Sequence, residues 1–260
     1  MGPHIIVIGA GFGGCTVAQE LSALAEAGHA TVTVLDKGSR LVIGACGQYC
    51  LNRRADPATI GWDLSGLQVS SAVSLKLDTA VSAIDVVARS VETAAGETLS
   101  YDYLVLATGS QYYPDRIPGL SGSLHNICRI SDIVSLRDKV EARVAGLGES
   151  DTLTVLVSIA SLPYKCPPSP FEVAFLLDEL VQTAGGSGGA ALRRGGDAAR
   201  VRIVVTSPKA PFPFGPPAVH KVFLDTCKYL PFCTEELKNT RLNELRFSHE
   251  ALRASVYVQA

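Results

Sequence analysis

One short segment near the start of the chain constrains its fold more than any other. The apolar run Ile5–Ile8 leads directly into Gly9-Ala10-Gly11-Phe12-Gly13-Gly14, which fits the pattern G-x-G-x-x-G. A short, uninterrupted apolar run is typical of a strand that is buried on both faces of a parallel sheet. Helix-forming residues follow over Thr16–Ala25, with Gly28 as the expected end, and Thr31–Leu35 is predicted as a second strand. The segment therefore predicts a βαβ unit.

The three glycines of the motif have separate tasks. Gly9 permits the tight turn, Gly11 lets a pyrophosphate approach the backbone, and Gly14 lets the helix pack closely against the strand. The first turn of the helix then offers free N–H groups and the positive end of its dipole to the phosphates. The motif is weak alone, but its place between a strand and a helix supports it. We predict an adenine dinucleotide site, with Phe12 and Gly13 among the contacting residues.

An acidic residue stands at the end of the second predicted strand. Asp36 follows Gly14 by 22 residues, and a carboxylate there accepts hydrogen bonds from the ribose hydroxyls of the adenosine. The same charge would repel a 2′-phosphate, which argues against NADP at this place. We include the neighbouring Lys37 among the cofactor-binding residues. The alternative interpretation is a glycine-rich turn and a solvated aspartate without a ligand.

The remaining periodicity continues the alternation of strands and helices. Further strands are predicted over Val69–Leu77, Ala83–Val87, Ser90–Thr93, Tyr101–Thr108, Thr152–Ser158 and Val201–Thr206, helices over Ser131–Val144, Pro170–Val181 and Val219–Leu230, and a loop over Ala184–Gly196. Ser131 or Asp132 is the expected cap of its helix. The pattern predicts an α/β protein with two Rossmann-like three-layer units. We expect a first domain over residues 1–150 and an incomplete second one over residues 151–260.

Composition and charge exclude several classes of function. The formal net charge is −2, without the clustered Lys and Arg that nucleic-acid binding needs. The odd count of seven cysteines argues against a secreted disulfide framework and favours reduced thiols. No signal peptide and no run of about 18 apolar residues is present, so we expect a soluble, cytoplasmic chain without evident membrane contact. We expect no metal site, because no second Cys or His pair has ligand spacing.

The segment Tyr101–Gly109, with the sequence YDYLVLATG, carries a family resemblance. It resembles the second FAD signature of flavoproteins with two dinucleotide-binding domains, the pyridine nucleotide-disulfide oxidoreductase superfamily. The resemblance implies FAD as the cofactor, with the turn Ala107-Thr108-Gly109 close to it. The segment Val81–Asp85 resembles the family's strand entry, where a backbone group at Val81 meets the adenine. The resemblance extends from residue 4 to about residue 235.

A second stretch points to one branch of this superfamily. Pro163–Leu180, with Cys-Pro-Pro-Ser-Pro-Phe-Glu leading into a helix, resembles sulfide:quinone oxidoreductase and flavocytochrome c sulfide dehydrogenase. The resemblance implies that Cys166 is a catalytic thiol that acts on sulfur near the flavin. It also implies sulfide or a small thiol as electron donor and a quinone or cytochrome as acceptor. Lys165 and the following helix N-terminus favour the thiolate. The alternative is a cysteine that only packs. Cys128 is a weaker match to another cysteine of this branch.

Two rival functions follow from departures from the family pattern. Where the family carries a second G-x-G-x-x-G for NAD(P)H, residues 158–170 contain no glycine, and prolines remove N–H donors. An NAD(P)H-dependent flavin reductase or NADH dehydrogenase-like enzyme is therefore the rival and not the first choice. Family members also continue beyond this chain, with a Gly-Asp motif that contacts FAD. We expect a C-terminally truncated chain, and the second rival is an inactive dinucleotide-binding module.

Cys46 and Cys50 form a separate hypothesis. They lie roughly where glutathione-reductase-like enzymes carry a redox disulfide, but three residues separate them here and four in those enzymes. Ala45-Cys46-Gly47 also resembles the reactive cysteine of coenzyme A-disulfide reductases. On an α-helix the two thiols would share one face. The alternative is a pair of ordinary thiols.

Overall fold

The structure is a computed structural model of the 260-residue chain. It describes residues 2–66, 70–113, 124–159, 166, 168–192, 200–207, 233–236 and 255–259. The chain forms two compact units, Met1–Ile43 with Ala58–Tyr112, and Gly44–Pro57 with Tyr113–Ala260. The division differs from the boundary that we predict at residue 150, and residues 44–57 cross into the second unit.

The first unit is built on a parallel sheet. Its strands are β1 (His4–Ile8), β2 (Thr31–Leu35), β3 (Arg40–Leu41), β4 (Trp62–Asp63), β5 (Val73–Lys76), β6 (Val81–Asp85), β7 (Ser90–Thr93), β8 (Thr98–Ser100) and β9 (Tyr103–Leu106), its helix is α1 (Phe12–Glu26), and Leu64–Gly66 is a 3₁₀ turn. Four strands form the parallel sheet in the order β5-β2-β1-β9. Three others form an antiparallel sheet in the order β6-β7-β8, and β3 pairs with β4.

Strand β1 of the parallel sheet is buried on both faces, as its apolar run predicts. Val7 belongs to the core under helix α1, together with Ala18 of that helix. Ile6 and Ile8 point the other way and pack with Val91 of the antiparallel sheet. The alternation of side chains along a strand thus places successive apolar residues in two separate cores. The three layers confirm the α/β class with a Rossmann-like first unit.

Helix α1 begins earlier than the composition predicts and ends where the sequence indicates. It starts at Phe12 because the Gly11 carbonyl accepts the Cys15 N–H at 2.9 Å, so the glycine-rich turn passes directly into the helix. After Ala27, Gly28 takes a left-handed φ of 68° and donates its N–H to the Ala25 carbonyl. Glycine adopts this conformation without the penalty that a side chain would bring.

The second unit contains a parallel sheet of its own. Its elements are β10 (Leu124–Asn126), α2 (Ile130–Ala145), β11 (Leu153–Ser158), α3 (Ser169–Ala184), α4 (Gly189–Leu192), β12 (Val201–Ser207), β13 (Cys233–Glu236) and β14 (Ser255–Gln259), with 3₁₀ segments Gly44–Cys50 and Gly186–Gly188. The strand order is β10-β14-β11-β12-β13. Strand β14 pairs in parallel with both β10 and β11, although the sequence gives only weak signals in this tail.

Two predicted local features differ from the structure, and a third falls on residues that the structure does not describe. Neither Ser131 nor Asp132 caps helix α2, since Arg129 is the N-cap residue and makes no side-chain cap hydrogen bond. The Asp132 carboxylate instead accepts the N–H of Asn126 at 3.1 Å, because a donor just before the helix competes for it. The loop predicted over 184–196 contains a 3₁₀ segment and the short helix α4. The helix predicted over 219–230 lies outside the described residues.

Helix length bears on membrane contact. Helices α2 and α3 each have 16 residues, which corresponds to about 24 Å at the usual rise per residue. In the part of the chain that the structure describes, none of the helices has the length and apolar character that crossing a bilayer requires.

Candidate functional site

At two positions of the glycine motif, the packing of the backbone leaves no room for a side chain. Gly9 has a φ of 104°, its N–H donates to the Leu35 carbonyl at 2.7 Å, and an added Cβ would overlap the Ala107 carbonyl oxygen. An added Cβ at Gly14 would overlap the carbonyl oxygen of Gly9. These contacts join the end of β1, the first turn of α1 and the turn after β9. They agree with the roles that the sequence predicts for the first and third glycines of the motif.

Gly11 differs from its neighbours in the motif. An added Cβ there would meet no atom within 4 Å, so the space above this residue is open. Gly11 is also the N-cap of α1, without a side-chain cap and without an acidic residue in the first turn. The N–H groups of that turn therefore lack the partner that a capping side chain would provide. An open surface with free donors at a helix N-terminus fits a pyrophosphate.

The carboxylate of Asp36 is held against this turn by two backbone groups. Its Oδ2 accepts the Ala10 N–H at 2.6 Å and its Oδ1 accepts the Gly38 N–H at 2.8 Å. Each carboxylate oxygen has two lone pairs, so both retain capacity for ribose hydroxyls. Lys37, the next residue, is exposed. The carboxylate is thus oriented before any nucleotide binds.

The remaining predicted residues of the first unit lie around the same turn. Ala107 donates its N–H to the Ile8 carbonyl at 2.8 Å, and its Cβ lies 3.8 Å from the position of an added Cβ on Gly13. Thr108 and Gly109, which has a φ of 71°, continue the exposed turn.

Phe12 and Val81 complete this set of predicted residues. Val81 begins β6 and packs against the core that contains Ile8 and Leu35. The side chain of Phe12 is 60% exposed at the start of α1. The structure therefore assembles the residues that we predict for the cofactor at the carboxyl ends of β1, β2 and β9, which is where open α/β sheets bind ligands.

One residue of this site has no signal in the sequence. The Cys15 thiol donates to the Ala10 carbonyl at 3.1 Å and so supports the glycine-rich turn from inside. Burial raises the pKa of this thiol, and the negative charge of Asp36 raises it further. Cys15 is therefore held as a neutral thiol, which suits a structural hydrogen bond and not a nucleophile.

Cys46 and Cys50 do not form the disulfide of our hypothesis. Both thiols are free, and they lie in the 3₁₀ segment Gly44–Cys50. With three residues per turn, positions i and i+4 are about a third of a turn apart, whereas an α-helix would bring them together. Cys46 is half-buried, while Cys50 is 0% exposed, and burial raises its pKa. Only Cys46 of this pair has the access that a reactive thiol needs.

Cys166 and Cys128 also belong to the second unit. Cys166 is exposed and has a φ of 59°, which is uncommon for a residue with a side chain. Its carbonyl accepts the N–H of Ser169 at 2.9 Å, so it lies in a turn that leads into helix α3. Cys128 is half-buried just before α2 and donates its N–H to the Asn126 side chain. Residues 160–165, including Lys165, lie outside the described residues. Among the residues that are described, no cluster of three metal-ligating side chains occurs.

Residues 44–57, which we name the crossing segment, are fastened to helices α2 and α3. Arg53 makes a two-pronged ion pair with Glu141 of α2, at 2.9 and 3.3 Å. Asn52 and Arg54 both donate to Glu179 of α3, at 2.9 and 2.8 Å. The segment also contributes Cys50 and Leu51, both 0% exposed, to the core. Polar contacts to both helices thus surround a buried apolar centre.

These contacts make the second unit sensitive to acid. The hydrogen bond from Asn52, followed by that from Arg54 and its charge, lowers the pKa of Glu179. A carboxyl group with a lowered folded-state pKa stabilises the fold above its unfolded value of 4.5, and this stability is lost as pH falls through the folded-state value. Because the side chain is 44% exposed, we expect Glu179→Gln to cost less than about 1 kcal/mol at pH 7.

Urea unfolding at pH 7 and pH 3 measures this effect. The difference in unfolding free energy between Glu179→Gln and the parent is expected at pH 7 and should be smaller at pH 3, because the lowered pKa of Glu179 makes its contribution decrease as pH falls below the unfolded value. Glu149→Gln changes an exposed glutamate in the turn after α2 and serves as the matched control. A difference that persists unchanged at pH 3 would contradict the electrostatic origin.

Burial also predicts the order in which the thiols react. Burial raises the pKa of Cys15 and Cys50, whereas Cys166 is exposed. With iodoacetamide at pH 8, we expect Cys166 to react at least about tenfold faster than Cys50, because the reagent attacks accessible thiolates. Peptide mass spectrometry at timed intervals measures each rate. In urea the two rates should become similar. If Cys50 were modified faster than Cys166 in the folded protein, Cys50 would not be buried as described.

The comparison with known families concerns mainly the first unit. Residues 3–152 match the family described as pyridine nucleotide-disulphide oxidoreductase. The probable ferredoxin reductase CtmF of Castellaniella defragrans is 26% identical over an alignment of 184 residues that covers 62% of this chain and 45% of that protein.

Solved structures show the same fold at low sequence identity. The sulfide:quinone oxidoreductase of Aquifex aeolicus has a TM-score of 0.68 at 18% identity, over 90% of this chain and 51% of its own. NDH2 of Plasmodium falciparum in complex with NADH has a TM-score of 0.71 at 13% identity, over 100% of this chain and 55% of its own. A NAD-dependent persulfide reductase of A. fulgidus has a TM-score of 0.62 at 15% identity, over 99% and 45%. The chain spans about half the length of these relatives.

Proposed function

Because the chain belongs to the pyridine nucleotide-disulphide oxidoreductase family, we propose that it binds FAD and acts as an FAD-dependent oxidoreductase. The observation that carries the proposal is the contrast within the glycine motif. Backbone atoms already occupy the positions where a Cβ on Gly9 or Gly14 would lie. The space above Gly11, in contrast, is open and faces the free N–H groups of α1. A turn that needed glycine only for packing would not require the open position between them.

The residues around this space fit the ADP half of FAD. The backbone of Gly11 and the first turn of α1 would hold the pyrophosphate, and Asp36 would accept the ribose hydroxyls. Val81 would border the adenine, and the turn at Ala107 would approach the rest of the cofactor. When bound, FAD supplies the two-electron chemistry, and the protein binds and orients it.

Within this class, we propose a sulfur compound as the electron donor. Cys166 is exposed, lies in a strained turn and precedes α3, and residues with uncommon backbone conformations cluster at functional sites. The sulfur of sulfide would bond to the Cys166 sulfur with release of two protons, and the two electrons of this oxidation would pass to bound FAD and then to the acceptor, leaving a persulfide on the cysteine. The likeness to a sulfide:quinone oxidoreductase supports the same choice. A quinone or cytochrome is the proposed electron acceptor, and both substrates would be small or diffusible partners.

Anaerobic absorbance spectroscopy tests the proposal directly. The purified chain is titrated with FAD, freed of excess cofactor and mixed with sulfide or with NADH. We expect a retained flavin band that sulfide bleaches and that a quinone analogue restores. Cys166→Ser should retain FAD and lose the bleaching by sulfide. A chain that retains no FAD would contradict the proposal and would leave an inactive module as the better description.

NADH is the second candidate donor, and a specific observation favours it. The NDH2 structure that the fold resembles holds NADH, and the persulfide reductase is NAD-dependent by name. Against this candidate stands the absence of glycine from residues 158–170. Bleaching of the flavin by NADH but not by sulfide would therefore replace the sulfur donor while keeping the FAD assignment.

A further inference from the structure

The 3₁₀ segment Gly44–Cys50 contacts the first turn of helix α3 through two polar side chains. The Gln48 Oε1 accepts the Ser169 hydroxyl at 3.3 Å, and the Tyr49 hydroxyl donates to the Glu172 carboxylate at 3.1 Å. The Glu172 hydrogen bond and negative charge raise the pKa of Tyr49, so the phenol stays protonated as the donor. Gln48 is only 9% exposed. All four residues belong to the second unit.

The other side of this segment is packed against α2. An added Cβ at Gly47 would lie 3.2 Å from side-chain carbons of both Ile130 and Ile133, and the Cys50 carbonyl accepts a hydrogen bond from Arg137. The threefold period of the 3₁₀ helix places residues 44, 47 and 50 on this side and leaves residues 48 and 49 for α3. The 3₁₀ segment Gly44–Cys50 therefore packs between α2 and the start of α3, and these contacts on two sides restrain its position.

Ser169 forms hydrogen bonds both to the 3₁₀ segment Gly44–Cys50 and to Cys166. Its N–H donates to the Cys166 carbonyl at 2.9 Å, while its hydroxyl donates to Gln48. Cys166 has a left-handed φ of 59°, and such a conformation persists only where the surroundings determine it. Ser169 provides such a constraint, because its backbone N–H bonds to Cys166 and its side-chain hydroxyl bonds to Gln48. A buried amide at Gln48 is costly without a partner, which favours keeping this contact.

We propose that Gln48 and Tyr49 are positioning residues, which hold the first turn of α3 and thereby keep the Cys166 thiol exposed in its left-handed turn. The inference deepens the proposed function and rests on it for the chemistry of Cys166. Nothing in the sequence links these positions, since Gln48 and Ser169 are 121 residues apart. Only the crossing of residues 44–57 into the second unit brings them together.

Thiol labelling tests the proposal without flavin or turnover. The iodoacetamide rate of Cys166 is measured by peptide mass spectrometry in Gln48→Met and Ser169→Ala, each of which removes one partner of the same hydrogen bond. We expect each variant to slow Cys166 about fivefold, as the loss of one hydrogen bond depopulates the competent turn. The double variant should be no slower than either single one, and Ser169→Thr, which keeps the hydroxyl, should restore the parent rate.

Two controls separate positioning from general loss of structure. Thr183→Ala removes a hydroxyl that bonds within the far end of α3, and it should leave the Cys166 rate unchanged. The labelling rate of Cys128, before α2, should stay the same in every variant. Unchanged Cys166 rates in folded Gln48→Met and Ser169→Ala, or a failure of Ser169→Thr to restore the rate, would overturn the proposal. If the labelling result holds but sulfide fails to bleach the flavin, the proposed sulfur donor is wrong while the positioning role stands.

Discussion

Gly14→Ala is expected to unfold the first unit of the protein. The added methyl group would overlap the carbonyl oxygen of Gly9, and this atom belongs to a backbone that cannot move aside easily. The Gly9 N–H is bonded to Leu35, and an added Cβ at Gly9 would itself overlap the Ala107 carbonyl oxygen, so three segments of chain are packed against one another here. Relief of the overlap would require helix α1 to move away from strand β1.

Such a movement would open the core between α1 and the sheet. Val7 and Ala18 are both 0% exposed in that core, and buried aliphatic side chains each contribute about 1.5–3 kcal/mol. We therefore expect a loss of more than about 4 kcal/mol in the free energy of unfolding, a large share of the stability of an ordinary domain. Thermal unfolding followed by circular dichroism measures the loss.

Gly11→Ala is the matched control for this substitution. It adds the same methyl group three residues earlier, where no atom lies within 4 Å. Alanine is a poorer N-cap than glycine, so a loss of at most about 1 kcal/mol is expected. Equal stability of Gly14→Ala and the parent would show that α1 does not pack on β1 as described here.

Gly11→Val should have the opposite profile, with a stable fold and little nucleotide binding. The side chain would fill the open space above the first turn of α1 and keep a pyrophosphate from its N–H groups. Hydrogen bonds to charged groups contribute about 1.5–3 kcal/mol each, so the loss of two of them lowers the affinity for ADP or FAD at least about 100-fold. Isothermal titration calorimetry with ADP measures the affinity, and circular dichroism checks the fold.

A control at a distant glycine makes this result specific. Gly66→Val adds the same side chain at an exposed position where an added Cβ also meets no atom within 4 Å. It should bind ADP like the parent. If Gly11→Val kept the parent affinity, the nucleotide would bind elsewhere, and the FAD assignment would lose the observation that carries it.

Both substitutions lie in a part of the candidate site that the sequence alone predicts. The strand Thr31–Leu35 is observed where the sequence predicts it, and the motif glycines and Asp36 lie beside one another because they belong to one βαβ unit whose contacts are local. The carboxylate of Asp36 meets Ala10 across only 26 positions. A pattern of glycine spacing and apolar runs is sufficient where the interacting residues are close in the chain.

Prediction was less successful where a residue has a choice of partners. Asp132 has the composition and position of a helix cap, but its carboxylate accepts the Asn126 N–H and leaves the first turn of α2 without a side-chain cap. Cys46 and Cys50 have the spacing of one helical face, but the local backbone is 3₁₀ and separates them. In both cases the local propensity allows two conformations, and packing selects between them.

By itself, the sequence determined the α/β class, the glycine-rich turn after the first strand and the place of Asp36 at the end of the second, since each of these depends on backbone conformations and periodicities that neighbouring residues impose. Only the tertiary structure decided that residues 44–57 cross into the second unit, that Gln48 meets Ser169, and that β14 lies between β10 and β11. Such contacts join residues about a hundred positions apart. Their formation depends on which buried surfaces fit together, and no short stretch of the chain contains that information.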